Sequence, residues 1–384
     1  MKKSYKYLIC IIVGFVIIFG ITQLKNLHDK KDTITKENNQ SYKGQKPINK
    51  QPIDKPDTKS FSKYKDIDRY LKKINFNGNI TVYKDNKLVM SNGYGYRDFD
   101  NGIKNDSKSM YLIGSANKFI TGLMLRQLEE KGIINLNDNV NKYIPNFQNK
   151  YPITIKDLML HRSGLAKINL IPYYNGLDGA IESIKLRGVV PSHYHQYHYS
   201  DANYITIAKV IENATKKSFE ENLNELIIKK AHLKYTARYT SAKHSKYMVN
   251  GYKSINNLYI YTQPKNLDKY DGAGNIYIST DDMAKLINKF KSGQMLSSSS
   301  TANLLSTGNK NIYPGSYRYG FFSYLNYQRY RGIFYQNDII SYSNNRYIVS
   351  IASNKLNEPY HQETEKALKH ICNDILKQKL IKKK

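Results

Sequence analysis

The chain has 384 residues, 40% of them hydrophobic, and a formal charge of +29. That apolar content suffices for a real core and confines disorder to segments, while only two cysteines, Cys10 and Cys372, exclude a small disulfide-stapled scaffold. So basic a chain expects a polyanionic partner.

Lys2, Lys3 and Lys6 precede the uncharged run YLICIIVGFVIIFGITQL at residues 7–24, which reads as a signal peptide or a single membrane anchor. It ends without a small-x-small cleavage site, and Cys10 lies too early in it to be a lipidated cysteine, which favours an anchor that is kept. The chain after Leu24 is then expected on the outer side of a membrane. Residues 25–60 are polar, charged and spotted with proline, too poor in large apolar residues to fold, and read as a tether. Outside a membrane, nucleic acid is a poor partner for the excess charge. Anionic lipid headgroups and the phosphate polymers of a cell wall are better ones, and lysines that merely solubilise are the plain alternative.

The folded part is expected from about Phe61 to the C-terminus, as one α/β unit with a helical insert. Residues 78–98 alternate around Asp85-Asn86 and predict a β-hairpin. After Ser115, the residues Phe119, Ile120, Leu123 and Leu128 mark a helix that stops at Lys131-Gly132. A short helix capped by Thr154 and ended by Gly164, another over 200–217, and a third opened by a Ser279/Asp282 capping box follow. Residues 331–354 alternate like paired strands, and 361–380 read as a closing helix. The glycine turns at 93–96 and 271–274 lack a phosphate-loop pattern. His193, His195 and His198 suggest metal binding, but two histidines two apart on a strand need a third ligand and its supporting shell, so loop or rim contacts are the simpler role.

Ser115 and Lys118 raise the central question. A serine at a helix start is commonly a cap. Three residues apart on a helix, however, the two side chains share a face, and a serine hydroxyl becomes a nucleophile when a neutral lysine takes its proton. The helix N-terminus would lower the lysine's proton affinity and favour an oxyanion. Spacing alone does not decide, because Ser-x-x-Lys also begins at Ser60 and Ser62.

The segments YLIGSANKFITGLMLRQLEEKGIINLNDNVNKYIPNF and ITIKDLMLHRSGL decide more. Together they resemble the serine β-lactamase-like family of class C β-lactamases, D,D-peptidases and related esterases. That family has Ser-x-x-Lys at a helix start, an acidic-glycine helix end, D-x-V-x-K-Y-x-P and L-L-x-H-x-S-G-L in this order. The match continues through YSDANYITIAKVIENAT, GAGNIYISTDDMAKLI and YRYGFF, and so covers nearly all of residues 78–355.

The resemblance implies an α+β, β-lactamase-like fold: an antiparallel sheet flanked by N- and C-terminal helices, plus an all-α region. It implies Ser115 as nucleophile, no cofactor and no metal. The family's Tyr-x-Asn is matched by Tyr199-Ser200-Asp201, although Tyr342-Ser343-Asn344 fits the pattern too. A phenol is a poor base until a cation favours its anion, which Lys118 can supply, so lysine and tyrosine form one coupled relay. Asp201 departs from the usual asparagine and is similar to the Tyr-Ser-Asp of teichoic-acid D-alanyl esterases within the family; there, a carboxylate suits the ammonium of an alanyl ester. The third motif, His or Lys, a small residue, then Gly, is best matched by Tyr330-Arg331-Gly332. It implies an oxyanion hole from the backbone N–H groups of Ser115 and Ile333, with Arg331 and Gly332 contacting substrate. The expected activity is ester hydrolysis at a D-alanylated wall polymer. D,D-carboxypeptidase or weak penicillin-binding activity is the alternative, and a non-catalytic polyanion-binding wall protein is the reading from another class.

Overall fold

The computed structural model describes residues 64–168, 175–255, 258–306, 313, 315–357 and 362–378. The expected membrane segment, the tether, and Ser60 and Ser62 lie outside them. Among the described residues no helix is long and apolar enough to cross a membrane.

Helix α1 (Lys65–Lys73) leads into the hairpin β1 (Gly78–Lys84) and β2 (Lys87–Tyr94). Its two turn residues, Asp85 and Asn86, take left-handed φ values of 48° and 64°, the geometry a tight two-residue hairpin turn demands. Short strands β3 (Tyr96–Asp98), β4 (Ile103–Lys104) and β5 (Met110–Leu112) follow, and then α2 (Asn117–Glu130). The helical region holds α3 (Ile155–Met159), α4 (Gly176–Arg187), α5 (Asp201–Thr215) and α6 (Phe219–Leu223). After β6 (Thr236–Arg238) come the hairpin β7 (Tyr252–Ile255) and β8 (Leu258–Tyr261), then β9 (Ile276–Ser279), α7 (Thr280–Lys291) and α8 (Ser298–Leu305). The chain closes with β10 (Phe322–Ser323), β11 (Gln328–Phe334), β12 (Asn337–Ser343), β13 (Tyr347–Ser353), β14 (Lys355–Asn357) and α9 (Glu363–His370).

The main sheet has the order β10-β11-β12-β13-β1-β2, and every neighbouring pair in it is antiparallel. Its two faces are separated by the strand period of two. On β13, Val349 and Ile351 join Ile67 and Leu71 of α1 and Leu368 of α9 in one core. The alternate residues Ile348 and Ala352 join the larger core, with Phe119 of α2, Met283 of α7 and the helical region. This is the antiparallel sheet with terminal helices on one side and an all-α region that the sequence predicts.

Two local expectations change. The helix opened by Thr154 keeps its reciprocal capping box with Asp157 but ends at Met159, five residues before Gly164. At α7, Ser279 accepts from the amide of Asp282. The return bond is absent, because the Asp282 carboxylate accepts instead from Lys234 N, Tyr235 N and Thr236 Oγ1.

Candidate active site

Ser115 sits in a 3₁₀ turn, Gly114–Ala116, between β5 and α2. It occupies the N-cap position of neither element, since that position is Ile113 for the turn and Ala116 for the helix, and its Oγ is engaged by Tyr199 and Lys118 instead, so the cap reading fails. The turn is forced by what surrounds it. Gly114 has φ 47°, and a Cβ there would lie 2.7 Å from the carbonyl oxygen of Ile333. From the other side, Gly332 of β11 comes so close that a Cβ would meet Ile113 O at 1.8 Å and Ser115 N at 2.7 Å. Only two glycines let strand and turn approach this far, and the approach sets Ile333 beside the Ser115 backbone.

Two donors converge on Ser115 Oγ: the Tyr199 hydroxyl at 2.8 Å and Lys118 Nζ at 3.2 Å. Tyr199, at the end of the loop before α5, is partly exposed, whereas Lys118 is only 1% exposed. The rival Tyr342 is buried on the main sheet in the core shared with α1 and α9, where its hydroxyl donates to Glu365 at 2.6 Å.

Lys118 differs from the neutral base that the helix N-terminus suggests. Burial disfavours its charge, but the Asp201 carboxylate, with Nζ to Oδ1 at 2.6 Å, and the Tyr199 oxygen outweigh that and move its pKa upward. A third bond runs to the carbonyl of Ala273 at 3.3 Å. Lys118 is therefore an ammonium held by a carboxylate, a carbonyl and the serine, able to stabilise negative charge on Oγ or on the phenol oxygen.

Asp201 is the first residue of α5, one past its N-cap position at Ser200, and its side chain is bonded to Lys118. One oxygen holds Lys118. Among the described residues the other makes no hydrogen bond, and the side chain is 36% exposed, so the site presents a carboxylate oxygen to solvent beside the nucleophile.

Arg331 is a correction. Adjacent strand residues point to opposite faces, so with Gly332 against Ser115, Arg331 turns toward α9. There it pairs with Asp338 at 3.0 Å and Glu365 at 2.6 Å, and it does not reach the serine. The first position of the third motif is Tyr330, buried among Phe119 and Phe321. Neither residue supplies the cation that this motif carries elsewhere in the family.

Two supports for the site went unread in the sequence. The 271–274 turn, seen there only as a glycine turn, provides the Ala273 carbonyl to Lys118 and the Gly272 carbonyl to Thr121. His161, of the H-x-S-G-L segment, lies under Tyr199 with ring centroids 4.4 Å apart. Its Nδ1 accepts from Ser200 N at 3.3 Å and pairs with the Asn203 amide at 3.0 Å, which leaves Nε2 to donate to the Tyr317 hydroxyl at 3.0 Å. A neutral imidazole thus ties the motif to the Tyr199–Asp201 segment. His193 and His198 stack at 3.7 Å on the loop before Tyr199, and among the described residues no group of His, Cys, Asp and Glu is arranged to hold a metal.

Burial, and next the Lys118 charge, push His161 well below its ordinary 6.5. The unfolded chain then binds more protons than the folded one below about pH 6.5, so stability is full above that value and declines as the pH falls toward the folded pKa. The thermal midpoint is expected to drop between about pH 6.5 and 5, and His161→Asn to flatten that slope while lowering the midpoint overall. An unchanged slope in the variant would remove His161 as its source.

A family model described as Beta-lactamase matches residues 67–372. The chain belongs to this family. It is 44% identical over 316 residues to the teichoic acid D-alanine hydrolase of Staphylococcus aureus, covering 82% of this chain and 78% of that protein. The crystal structure of FmtA from Staphylococcus aureus superposes with a TM-score of 0.79 at 42% identity, covering 84% of this chain and 93% of that one. A penicillin binding protein from Bacillus halodurans, at 17% identity and TM-score 0.66 over 79% of this chain and 98% of its own, shares the fold.

Proposed function

We propose that this chain is a membrane-tethered serine esterase that acts on the outer side of the membrane and removes D-alanyl esters from teichoic acid. The observation that carries the reading is Ser115 Oγ within bonding distance of both Tyr199 and Lys118, with the Asp201 carboxylate locked on the lysine. The name of the 44% identical relative supports the substrate, and the net charge of +29 suits a phosphate polymer.

Ser115 Oγ attacks the ester carbonyl, and its proton leaves through the Tyr199 oxygen to the departing polymer hydroxyl. The oxyanion meets the backbone N–H groups of Ser115 and Ile333. Lys118, kept as an ammonium, stabilises the charge that develops on Oγ and on the phenol oxygen. Water then attacks the acyl carbonyl, its proton passes through the same relay to Ser115 Oγ as the bond from Oγ to the acyl carbon breaks, and D-alanine leaves with the serine restored.

The altered third motif favours this substrate over a peptide. A D-alanyl-D-alanine terminus carries a carboxylate that needs a cation, and Arg331 is engaged by Asp338 and Glu365 instead. A D-alanyl ester has no free carboxylate but does have an ammonium beside the scissile carbonyl, for which the open Asp201 oxygen is the natural partner. The assembled Ser115, Lys118 and Tyr199 set argues against a purely binding role.

The direct test is release of D-alanine from D-alanylated teichoic acid by the purified protein; no release would refute the reading. The specificity claim is tested by Asp201→Asn. Loss of the Lys118 partner lowers kcat/KM for every ester, and loss of the ammonium contact, worth roughly 1.5–3 kcal/mol, lowers it for aminoacyl esters by about one to two further orders of magnitude. An equal loss on D-alanyl and simple acyl esters would show that Asp201 acts only through Lys118.

A further inference from the structure

Phe334 is a partly exposed ring beside the site that the mechanism above leaves without a role. It follows the oxyanion donor Ile333 and lies two residues beyond Gly332, so it shares that glycine's face of β11. Where Gly332 admits the 113–116 turn, Phe334 fills the space next to it. A Cβ on Gly114 would lie 3.0 Å from Phe334 Cβ, and one on Gly274 would lie 3.4 Å from both Cδ1 and Cε1 of the ring and 3.6 Å from Gly114 Cα. The ring therefore rests on the two turns that carry Ser115 and the Ala273 carbonyl bound to Lys118.

Two tyrosines hold it there. Tyr270 makes a T-shaped contact with the ring at 5.0 Å, and Tyr335 lies against it at 4.7 Å. Tyr335 and Gln336 form the two-residue turn to β12, with φ 43° and 62°, and the Tyr335 hydroxyl donates to Lys265 O at 2.7 Å. Tyr270 begins the 270–274 turn, which packs on α5 so closely that a Cβ on Gly272 would meet Tyr204 O at 2.3 Å, about one helical turn past Asp201. Burial, then Asp201 and Tyr335, push the Tyr270 phenol upward against the opposing effect of Lys118, so this ring stands within electrostatic reach of the ion pair.

We infer that Phe334, backed by Tyr270, is the wall of the acyl subsite and restricts the enzyme to short acyl groups of about alanyl size. The inference rests on the serine-esterase reading above. In the tetrahedral intermediate the oxyanion lies at the Ser115 and Ile333 amides and the leaving oxygen at Tyr199, so the acyl chain takes the remaining direction, past Asp201 toward Phe334 and the 270–274 turn. An ammonium on its first carbon reaches Asp201, and a methyl group fits beside it. A longer chain meets a ring packed from both sides, which has no room to turn away without overpacking its neighbours.

The test uses the full-length protein and p-nitrophenyl esters of unbranched acids. These carry no ammonium, so chain length is read apart from the Asp201 contact. For wild type, kcat/KM is expected to fall roughly tenfold or more from propanoyl to hexanoyl, the scale on which a pocket discriminates by methylenes. Phe334→Ala should raise the hexanoyl-to-propanoyl ratio by a similar factor and Phe334→Leu by less. Leu325→Ala, at a position 84% exposed between β10 and β11, is the control and leaves the ratio unchanged. A ratio taken within one variant cancels any loss of folded protein. A wild type that accepts hexanoyl as readily as propanoyl, or a ratio unmoved by Phe334→Ala, would overturn the wall. Length discrimination by a protein that releases no D-alanine from teichoic acid would keep the wall and remove only the substrate.

Discussion

Ser115→Ala abolishes ester hydrolysis, lowering kcat/KM by roughly 10⁴-fold or more, while the protein stays folded. The size of the loss follows from a covalent route, in which nothing else within bonding distance of Tyr199 and Lys118 replaces Oγ. The fold survives because Oγ caps no helix, and Lys118 keeps its bonds to Asp201 and Ala273. The change in stability should stay within about 1.5 kcal/mol, the net worth of a hydrogen bond or so. Two measurements check this: turnover of a D-alanyl ester, and the mass of the intact protein after brief incubation with a reactive ester. Wild type gains one acyl group and the variant gains none. A variant that keeps most of its turnover would show that Ser115 is not the nucleophile.

Gly332→Ala should be nearly as damaging, although it adds a single methyl group. The new Cβ would meet Ile113 O at 1.8 Å, Ala116 N at 2.5 Å and Ser115 N at 2.7 Å, and all three are backbone atoms. No side chain can swing aside, so β11 has to move off the turn and carry Ile333 away from the Ser115 amide. Losing one oxyanion donor costs about 10² to 10³ in kcat, and overpacking costs about 1–3 kcal/mol of stability. Measured well below the thermal midpoint of the variant, the acylation rate falls by that factor while the Lys118–Asp201 pair is untouched. A rate close to wild type would mean that the Ile333 amide takes no part in the oxyanion hole.

Much of this protein was determined by the sequence alone, wherever the governing contacts lie within a few residues of one another. Asp85-Asn86 specifies its turn because few other residue pairs tolerate two successive positive φ values. Thr154 and Asp157 cap their helix reciprocally, three residues apart. Ser115 and Lys118 share a helix face by the same short spacing, and the alternation in β11–β13 anticipates strands with two different faces. The ordered motifs named the family for the same reason: each is a local device.

The tertiary structure decided what depends on distant partners and on burial. Lys118 and Asp201 are 83 positions apart, and Lys118 and Ala273 are 155 apart; no periodicity connects them, yet these contacts keep the lysine charged when its helix terminus alone would favour the neutral form. Arg331 read as a substrate cation because its neighbour Gly332 belongs at the site, but strand alternation sends the two side chains to opposite faces, and which face meets Ser115 is set by the packing of β11 on the 113–116 turn. The ring of His161 acquires its place under Tyr199 only when the two loops meet. Protonation states and side-chain directions at this site are properties of the assembled low-dielectric interior, where a carboxylate at 2.6 Å outweighs the cost of burying an ammonium, and no local stretch of the chain contains that balance.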